Sequence, residues 1–465
     1  MGAGRWAAIA CWSEHRDVWE LECLLIQSET NLDYDVAIVG AGPVGVLLAN
    51  LLGCGGRRVL LIDKEREIYA LPRAVHFDGE VMRAFQSIAL ADEIAAISRA
   101  SSKGMHFISS TGQTLLIRRG FDGVGPQGWA NNYYVHQPDL EAVLRKALAR
   151  HQSVVDRYGV EVTAIKETAD AVAVGLTCSE RQPETLTANY LIGCDGARSF
   201  VRRVIGCTHE DLGLHQPWLV VDALMRPTTP RAKNLPEYTV QLCDPNRPMT
   251  LVYVGGNRRR WEIMLMPGDD ACSIAHPDRI WRLISRWITP EDAILERAAI
   301  YTFHSVIAKG WRKGRLLLAG DACHQTPPFL GQGMCAGIRD CVNLAWKLEA
   351  ILGGLARDSL LDTYESERSP HVHAFIQLAV DLGGVIQTTD ATIARKRDAR
   401  FACGGPRMFD FPQPQLGPSG GTPAGQVFPQ LRLDDGRRLD EVAGSGRFCL
   451  LGNASFLQAT VPQSR

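Results

Sequence analysis

Short apolar runs separated by glycine-rich turns mark the first part of the chain. Residues 36–39 form one run and lead into the sequence GAGPVG at 40–45, and a second run at 59–62 ends at Asp63. Between them, residues 44–52 are apolar without the alternation of a strand, and glycines follow. This pattern predicts a strand, a helix and a second strand, which is the βαβ unit of a parallel sheet.

A β-rich pattern occupies the middle of the chain. Residues 160–165, 171–176 and 187–192 are short strand candidates, and 219–225, 238–242, 251–254 and 261–266 are further ones. In the last, Trp261, Ile263 and Leu265 alternate with Glu262, Met264 and Met266, as on a strand covered fully on one face and partly on the other. We therefore predict a β-rich insertion here.

A second strand–loop–helix pattern follows the β-rich part. Residues 315–319 read as a buried strand that ends at Gly320 and Asp321, and residues 322–333 form a loop rich in Pro and Gly. Beyond it, apolar residues are spaced by four and three positions, which predicts one face of an amphipathic helix that ends at Gly353: Met334, Ile338, Cys341, Ala345, Leu348 and Leu352. Residues 403–430 resemble a linker, and 447–452 one more strand.

Composition narrows the class of protein. The 465 residues suggest roughly three domains, and 46% hydrophobic with 22% charged residues is typical of a globular protein. Lys plus Arg number 50 and Asp plus Glu 51, so the net charge of −1 favours no nucleic-acid partner. Thirteen cysteines without CxxC spacing predict neither a disulfide framework nor a metal site, and suit the reducing cytoplasm. Without an apolar run of about 18 residues, we expect no membrane span.

The glycines of the first motif have distinct physical roles. Gly40 permits a tight turn, Gly42 allows the backbone to approach a pyrophosphate, and Gly45 allows close packing of the helix. Asp63 lies 23 residues after Gly40, near the separation of about 20 expected for a carboxylate that holds ribose hydroxyls. The combination predicts a dinucleotide site.

Three motifs stand in order along the chain and carry a family resemblance. They are GAGPVG at 40–45 with Asp63, CDGARSFVRR at 194–203, and GRLLLAGDACHQTPPFLGQGMCAGIRDCVNLAWKL at 314–348. Together they resemble the FAD-dependent aromatic hydroxylases, single-component flavoprotein monooxygenases related to p-hydroxybenzoate hydroxylase. Within these, the chain is most similar to the 3-(3-hydroxyphenyl)propionate hydroxylase family, from about residue 34 to the end.

The resemblance implies an α/β fold with a discontinuous domain. A Rossmann-like FAD-binding domain of the p-hydroxybenzoate hydroxylase type would carry an inserted β-sheet substrate domain, and an incomplete thioredoxin-like segment would follow. The expected divisions are an unassigned extension at 1–33, the FAD-binding domain at 34–215 and 306–400, the substrate-binding domain at 216–305, a linker at 401–430 and the thioredoxin-like segment at 431–465.

Site residues also follow from the resemblance. The glycine turn and Arg73 would lie at the FAD pyrophosphate, Gln137 on the flavin side, Asp321 at the ribityl chain, and residues 327–333 beside the isoalloxazine. The Pro327 carbonyl would act in catalysis by accepting the phenolic proton, with no metal involved. The expected cofactor-binding residues are Gly40, Gly42, Pro43, Val44, Gly45, Asp63, Lys64, Arg73, Gln137, Asp195, Gly320, Asp321, Gly331, Gln332, Gly333 and Met334.

Other residues stay open as alternatives. The basic residues Arg198, Arg202 and Arg203 fit either a cofactor contact or a solvated face. A phenolic proton could also pass to His76, Tyr253 or His304. An aryl-propionate substrate needs a cation for its carboxylate, and Arg258, Arg259 and Arg260 are candidates without a known position.

The resemblance implies an oxidoreductase. NADH or NADPH would reduce FAD, and O2 would form a C4a-hydroperoxyflavin that hydroxylates a phenolic substrate such as 3-(3-hydroxyphenyl)propionate. The partners would be small molecules, namely the aromatic substrate, NAD(P)H and O2, and a homodimer is left open. Two alternatives are an FAD-binding oxidoreductase that inserts no oxygen and a truncated flavoprotein without catalytic activity.

Overall fold

A computed structural model describes residues 32–118, 122–179, 181–227, 229–403, 406–413 and 425–444. Its strands, in chain order, are β1 (Tyr34–Val39), β2 (Val59–Asp63), β3 (His76–Asp78), β4 (Ser98–Ala100), β5 (Met105–Ser109), β6 (Thr114–Arg118), β7 (Asn132–Val135), β8 (Val154–Tyr158), β9 (Glu161–Glu167), β10 (Val172–Cys178), β11 (Arg181–Gly193), β12 (Thr208–Met225), β13 (Thr239–Cys243), β14 (Met249–Gly255), β15 (Arg258–Met264), β16 (Ala293–Lys309), β17 (Arg312–Lys313), β18 (Leu316–Leu318), β19 (His324–Gln325) and β20 (Arg407–Phe409).

The α-helices are α1 (Pro43–Cys54), α2 (Gly79–Ser87), α3 (Ala91–Ala96), α4 (Gln137–Leu148), α5 (Phe200–Ile205), α6 (Ala271–Ile274), α7 (Pro277–Ile284), α8 (Gly333–Leu352), α9 (Thr363–Ile386), α10 (Ala391–Ala402) and α11 (Leu439–Ala443). Single 3-10 turns include Gly320–Ala322 and Pro328–Leu330. None of the helices in the described ranges is long and apolar enough to cross a membrane.

The chain divides into two compact units, of which residues 32–428 form the larger. Of the smaller unit, residues 429–444 are described and contain α11 and an antiparallel bridge between Arg432 and Arg438. The strand predicted at 447–452 and residues 1–31 of the N-terminal extension lie outside the described residues.

A parallel sheet forms the first core of the larger unit, with strand order β18-β11-β1-β2-β8. The predicted βαβ unit is confirmed as β1, α1 and β2. The second strand–loop–helix is confirmed as β18 followed by α8, whose predicted apolar face is buried at Ile338, Cys341 and Leu348. Because β18 pairs with β11 in this sheet, two distant parts of the sequence complete one α/β layer.

A nine-stranded sheet forms the second layer, in the order β19-β16-β12-β15-β14-β13-β5-β6-β20. It draws β5 and β6 from residues 105–118 as well as strands from 208–309. One face packs against α7 through Trp261, Ile263 and Ile280. The opposite face of β15 is polar, yet Arg260 and Glu262 are also buried, because this face lines a cavity inside the unit.

A small sheet of β3, β7 and β4 closes a third side of the cavity. Its residue Tyr134 joins the larger sheet, since the Tyr134 hydroxyl accepts a hydrogen bond from Thr239 N at 2.8 Å and lies 3.0 Å from Thr239 Oγ1. Strand pairing aligns His76 with Tyr134 and Asp78 with Asn132. The small sheet therefore carries His76, Asn132 and Tyr134 to the cavity.

Candidate active site

A cavity of about 340 Å³ lies inside the larger unit, between the two layers. One side, here called the glycine wall, consists of residues 42–44, Asp321 and residues 331–334. The facing side, here called the sheet wall, consists of the cavity-lining residues of β5, β6, β13, β14 and β15: Met105, Arg118, Thr239, Gln241, Thr250, Val252, Arg260 and Glu262.

The glycines of the first turn are required for different reasons. Gly40 has a φ of +103°, and a Cβ atom there would lie 2.4 Å from the Cys194 carbonyl oxygen. A Cβ atom on Gly45 would lie 1.9 Å from the Gly40 carbonyl oxygen, so the turn itself excludes a side chain. Gly42 lines the cavity, and a Cβ atom there would have no neighbour within 4 Å. The backbone at Gly42 is therefore open to a ligand.

The first turns of α1 and α8 both line the cavity. Amide groups in the first turn of a helix have no partner within the helix, and they carry the positive end of the helix dipole. Gly333 begins α8, and a Cβ atom there would again meet no neighbour within 4 Å. Two helix N-termini with open glycine backbone in one cavity suit an anionic, phosphate-containing ligand.

Two polar side chains of this region have groups without partners. Among the described residues, no hydrogen bond reaches the Asp321 carboxylate, which is accessible through the cavity. The surrounding protein raises the pKa of Asp321 by desolvation. Gln332 is fully buried, and its Oε1 accepts a hydrogen bond from Arg339 at 3.1 Å while its Nε2 has no partner. Both side chains are therefore free to bind a ligand.

Gly320 and Gly331 shape the loops on either side. Both have a φ of +65°, a conformation that glycine adopts without strain. Gly320 N donates to the buried Asp340 carboxylate at 3.1 Å, and this bond fixes the turn that carries Asp321. Met334 follows in the first turn of α8 and lines the cavity.

Several predicted residues have side chains that hold protein backbone. Asp63 Oδ2 accepts a hydrogen bond from Ala41 N at 2.6 Å, so the carboxylate braces the glycine turn. Gln137 Oε1 accepts from Arg73 N at 3.0 Å and from Ala74 N, and thereby holds the segment that brings Arg73 to the cavity. Pro43 and Val44 line the cavity, whereas Lys64 is exposed outside it.

Asp195 and the nearby arginines also bind backbone. The Asp195 carboxylate accepts hydrogen bonds from Phe200 N at 2.6 Å and Val201 N at 3.1 Å, at the start of α5. Arg202 donates to the Ala322 carbonyl at 3.0 Å, and Arg203 donates to the Arg198 carbonyl at 2.8 Å. The bond from Arg202 attaches α5 to the turn that contains Asp321, whereas the other bonds lie at the start of α5 itself.

Pro327 is buried beside the cavity, but the residues that line it at this point are Thr326 and Pro328. His76 lines the cavity, and its Nε2 lies 3.1 Å from Asn132 Oδ1. Burial, and then the positive charge of Arg118, lower the pKa of His76 to about 4, so the ring is neutral at pH 7.

The other two candidates for the phenolic proton differ in position. His304 lines the cavity, and its Nδ1 lies 2.7 Å from His215 Nδ1. Tyr253 is not among the lining residues and packs against Tyr134.

The register of the larger sheet explains the sheet wall. Arg118 pairs with Met105, Met105 pairs with Thr239, and Val252 pairs with Arg260. Side chains at directly opposed positions point to the same face of a sheet. Gln241, Thr250 and Glu262 form the next row in the same way. Apart from Arg260 and Glu262, no sequence motif predicts the residues of this wall, because they come from five strands.

The three arginines at 258–260 all have partners within the protein. Arg258 pairs with Glu296 at 3.0 Å, and Arg259 stacks on Tyr253 at 4.5 Å from the ring centroid. Arg260 pairs with Asp222 at 2.7 Å and donates to the Arg73 carbonyl at 2.8 Å, across the cavity.

Glu262 is the acidic residue of the sheet wall. It lies 3.8 Å from Arg260, and burial raises its pKa to about 7 against the opposing effect of that cation. No group of three His, Cys, Asp or Glu side chains that could hold a metal occurs in the part of the chain that the structure describes.

Comparison with known proteins identifies the family. A family model described as FAD binding domain matches residues 33–379. A probable NADH-specific resorcinol 4-hydroxylase of Rhodococcus jostii (strain RHA1) is 40% identical over 421 residues, covering 89% of this chain and 78% of that protein. The chain belongs to the FAD-dependent aromatic hydroxylases.

A second relative and a solved structure similar to this chain are also hydroxylases. A 3-(3-hydroxy-phenyl)propionate/3-hydroxycinnamic acid hydroxylase of Mycobacterium sp. (strain JLS) is 36% identical over 444 residues, covering 90% of this chain and 76% of that protein. The solved structure of aklavinone-11 hydroxylase with FAD and aklavinone is 26% identical, with a TM-score of 0.66 and coverage of 77% of this chain and 70% of that one.

A second solved structure supports the fold alone. The flavin-dependent monooxygenase PieE, in complex with FAD and substrate, superposes with a TM-score of 0.74 at 23% identity, over 89% of this chain and 84% of that one. The predicted α/β fold with a Rossmann-like FAD-binding domain is thereby confirmed, and the family favours an FAD-dependent hydroxylase over both alternatives.

Proposed function

We propose that this hydroxylase uses NADH and O2 to add one hydroxyl group to a phenolic ring, on a substrate similar to resorcinol or 3-(3-hydroxyphenyl)propionate. The observation that carries the proposal is one cavity with an open, amide-rich glycine wall facing a polar sheet wall. The substrate class follows the two hydroxylases of Rhodococcus jostii and Mycobacterium named above, and the choice of NADH follows the first of them.

The glycine wall fits FAD. Gly42 and the first turn of α1, with Arg73, would bind the pyrophosphate, where the missing side chains leave room. The carboxylate of Asp321 would accept hydrogen bonds from the ribityl chain. Gly331, Gln332, Gly333 and Met334 would lie beside the isoalloxazine, with Gln332 Nε2 as a free donor. Asp63 and Lys64 would serve the adenosine ribose.

The protein's own residues orient the substrate and exclude water. FAD, when bound, supplies the electron transfer and oxygen activation that no side chain can provide. The sheet wall and the small sheet would hold the phenol between β14 and the loop at residues 326–331. In this position the Pro327 carbonyl would accept the phenolic hydrogen bond, while the neutral His76 ring adds no positive charge.

The proposal also includes the domain organisation, the cellular location and the oligomeric state. Residues 34–215 and 306–400 would form the FAD-binding domain around a substrate-binding domain at 216–305, with a thioredoxin-like segment near the C-terminus. The cysteines that the structure describes are free thiols, which favours the reducing cytoplasm. A homodimer remains a prediction that light scattering of the purified protein would check.

Flavin content and product analysis test this function. The purified protein should retain FAD and oxidise NADH faster in the presence of a phenol, with O2 uptake and a product heavier by one oxygen atom. Peroxide without product would support the inactive flavoprotein, and turnover without O2 would support an oxidoreductase that inserts no oxygen. Asp321→Ala should lower FAD retention, and unchanged retention would contradict its assigned role.

A further inference from the structure

Arg118 carries a buried positive charge without a salt-bridge partner in the described part of the chain, and the charges of Asp78 and Asp410 act on it only from farther away. It ends β6, is 7% exposed and lines the cavity. Among the described residues, no carboxylate forms a salt bridge with it. Its guanidinium donates to Asn132 Oδ1 and lies 4.1 Å from the Phe411 ring centroid. Although burial lowers the pKa of Arg118, a guanidinium stays protonated at physiological pH.

Other buried arginines around the cavity have a carboxylate at salt-bridge distance, although Arg260 and Arg297 share one. Arg260 and Arg297 both pair with Asp222, at 2.7 and 2.5 Å. Arg339 pairs with Asp78 at 2.6 Å. Burial of a charge is costly unless an opposite charge compensates for it. The exception at Arg118 therefore points to a counter-ion that arrives with a ligand.

The groups beside Arg118 are also donors. Asn132 is 2% exposed, and its Oδ1 faces both Arg118 and His76 Nε2. Its Nδ2 has no hydrogen-bond partner. His76 Nδ1 also faces an acceptor, the Gly331 carbonyl at 3.4 Å, and the neutral ring does not add to or compensate for the charge of Arg118. A cation and an unsatisfied amide donor in one cavity select an anionic oxygen.

Arg118 lies far from Arg260, the other cation of the sheet wall. Arg118 on β6 and Arg260 on β15 lie on strands separated by β5, β13 and β14. With neighbouring strands about 4.8 Å apart, the two arginines lie at opposite ends of the wall. Arg260 is held by Asp222 and by the backbone of residues 72–73. An anion in the cavity therefore finds its free partner at the β6 end.

We propose that Arg118, together with the Asn132 side-chain amide, binds an anionic oxygen of the aromatic substrate and thereby determines substrate specificity. This inference rests on the proposed function, since it concerns the substrate of the same cavity. The anionic oxygen has two sources, a side-chain carboxylate or a ring phenolate. The carboxylate source identifies an aryl-propionate class, and the phenolate source an uncharged phenol that ionises on binding.

Ligand titration of the FAD-loaded protein tests the proposal without turnover. Binding of 3-(3-hydroxyphenyl)propionate, its methyl ester and resorcinol is followed by the change in flavin absorbance. If Arg118 binds the carboxylate, Arg118→Gln should raise the Kd of the acid by at least about tenfold and leave the Kd of the ester unchanged. If it binds the phenolate, all three ligands should weaken, and the pKa of the bound phenol should rise.

Two variants control for indirect effects. Arg118→Lys retains the charge and should recover part of the lost affinity, also if Arg118→Gln proves too unstable to load with FAD. Arg395→Gln removes an exposed arginine of α10 and should change no Kd. Equal Kd values for wild type and Arg118→Gln would overturn the proposal, and if that variant does not load with FAD, equal Kd values for wild type and Asn132→Ala would do so. Binding without hydroxylation by the wild type would instead refute the proposed function.

Discussion

The glycine wall and the sheet wall face the same cavity but are built in opposite ways. The glycine wall acts through backbone amides at two short segments, and side chains are missing where a ligand must approach. The sheet wall acts through side chains from five strands, several of them charged and buried. A ligand at the glycine wall would therefore depend mainly on backbone geometry, whereas a ligand at the sheet wall would depend on individual side chains.

The largest effect is expected at the charge pairs behind the sheet wall. Asp222→Asn would leave Arg297 buried without its carboxylate and Arg260 with only Glu262 at 3.8 Å, and should reduce the free energy of unfolding by about 3–5 kcal/mol. Urea unfolding of the two proteins measures this loss. The exposed pair of Glu93 and Arg150 provides the control, since Glu93→Gln should cost less than about 1 kcal/mol. Equal losses of unfolding free energy in Asp222→Asn and Glu93→Gln would mean that the buried charge pairs stabilise the protein no more than an exposed pair does.

A smaller and more selective effect is expected at the glycine wall. Gly42→Ala and Gly384→Ala both add a Cβ atom where no neighbour lies within 4 Å, but Gly42 lines the cavity and Gly384 lies on the exposed side of α9. Only Gly42→Ala should weaken FAD binding, by at least about tenfold or 1.4 kcal/mol. Equilibrium titration with FAD measures the change. Full retention of FAD by Gly42→Ala would place the pyrophosphate elsewhere.

The smallest effect concerns the pH dependence of the sheet wall. Burial raises the pKa of Glu262 from 4.5 to about 7, so the folded protein binds a proton that the unfolded chain releases in this interval. The resulting stability is complete below pH 4.5 and is lost as the pH rises through about 7. Relative to Glu262→Gln, the wild type should lose stability between pH 5 and 8. Thermal unfolding of the wild type and of Glu262→Gln at pH 5 and pH 8 measures this difference. An equal change in stability in both proteins would contradict the prediction.

The two walls also differ in how far the sequence predicts them. The βαβ unit and α8 follow from contiguous motifs, because a tight turn before a helix needs glycine at fixed positions. Arg118 follows from no motif, because its place in the cavity depends on the pairing of β6 with β5 and of β5 with β13.

For a related reason, the sequence does not predict which polar side chains are buried or which groups they hydrogen-bond to. Alternation in β15 correctly separates Trp261 from Glu262, but it does not reveal that the polar face borders an internal cavity. Asp195 and Gln137 stand at the predicted positions, yet their side chains hold backbone amides in the structure. Sequence spacing identifies a residue near a site, whereas its hydrogen-bond partners depend on packing.

The pairing of β18 with β11 has a consequence for the order of events during synthesis. The α1 half of the glycine wall leaves the ribosome early, but the turn with Asp321 and the start of α8 follow more than 270 residues later. Contacts of such sequence separation form late and fold slowly. With FAD bound at the glycine wall, as proposed above, the nascent chain has no complete site for the cofactor until the start of α8 has been made, so cofactor uptake follows folding of both segments.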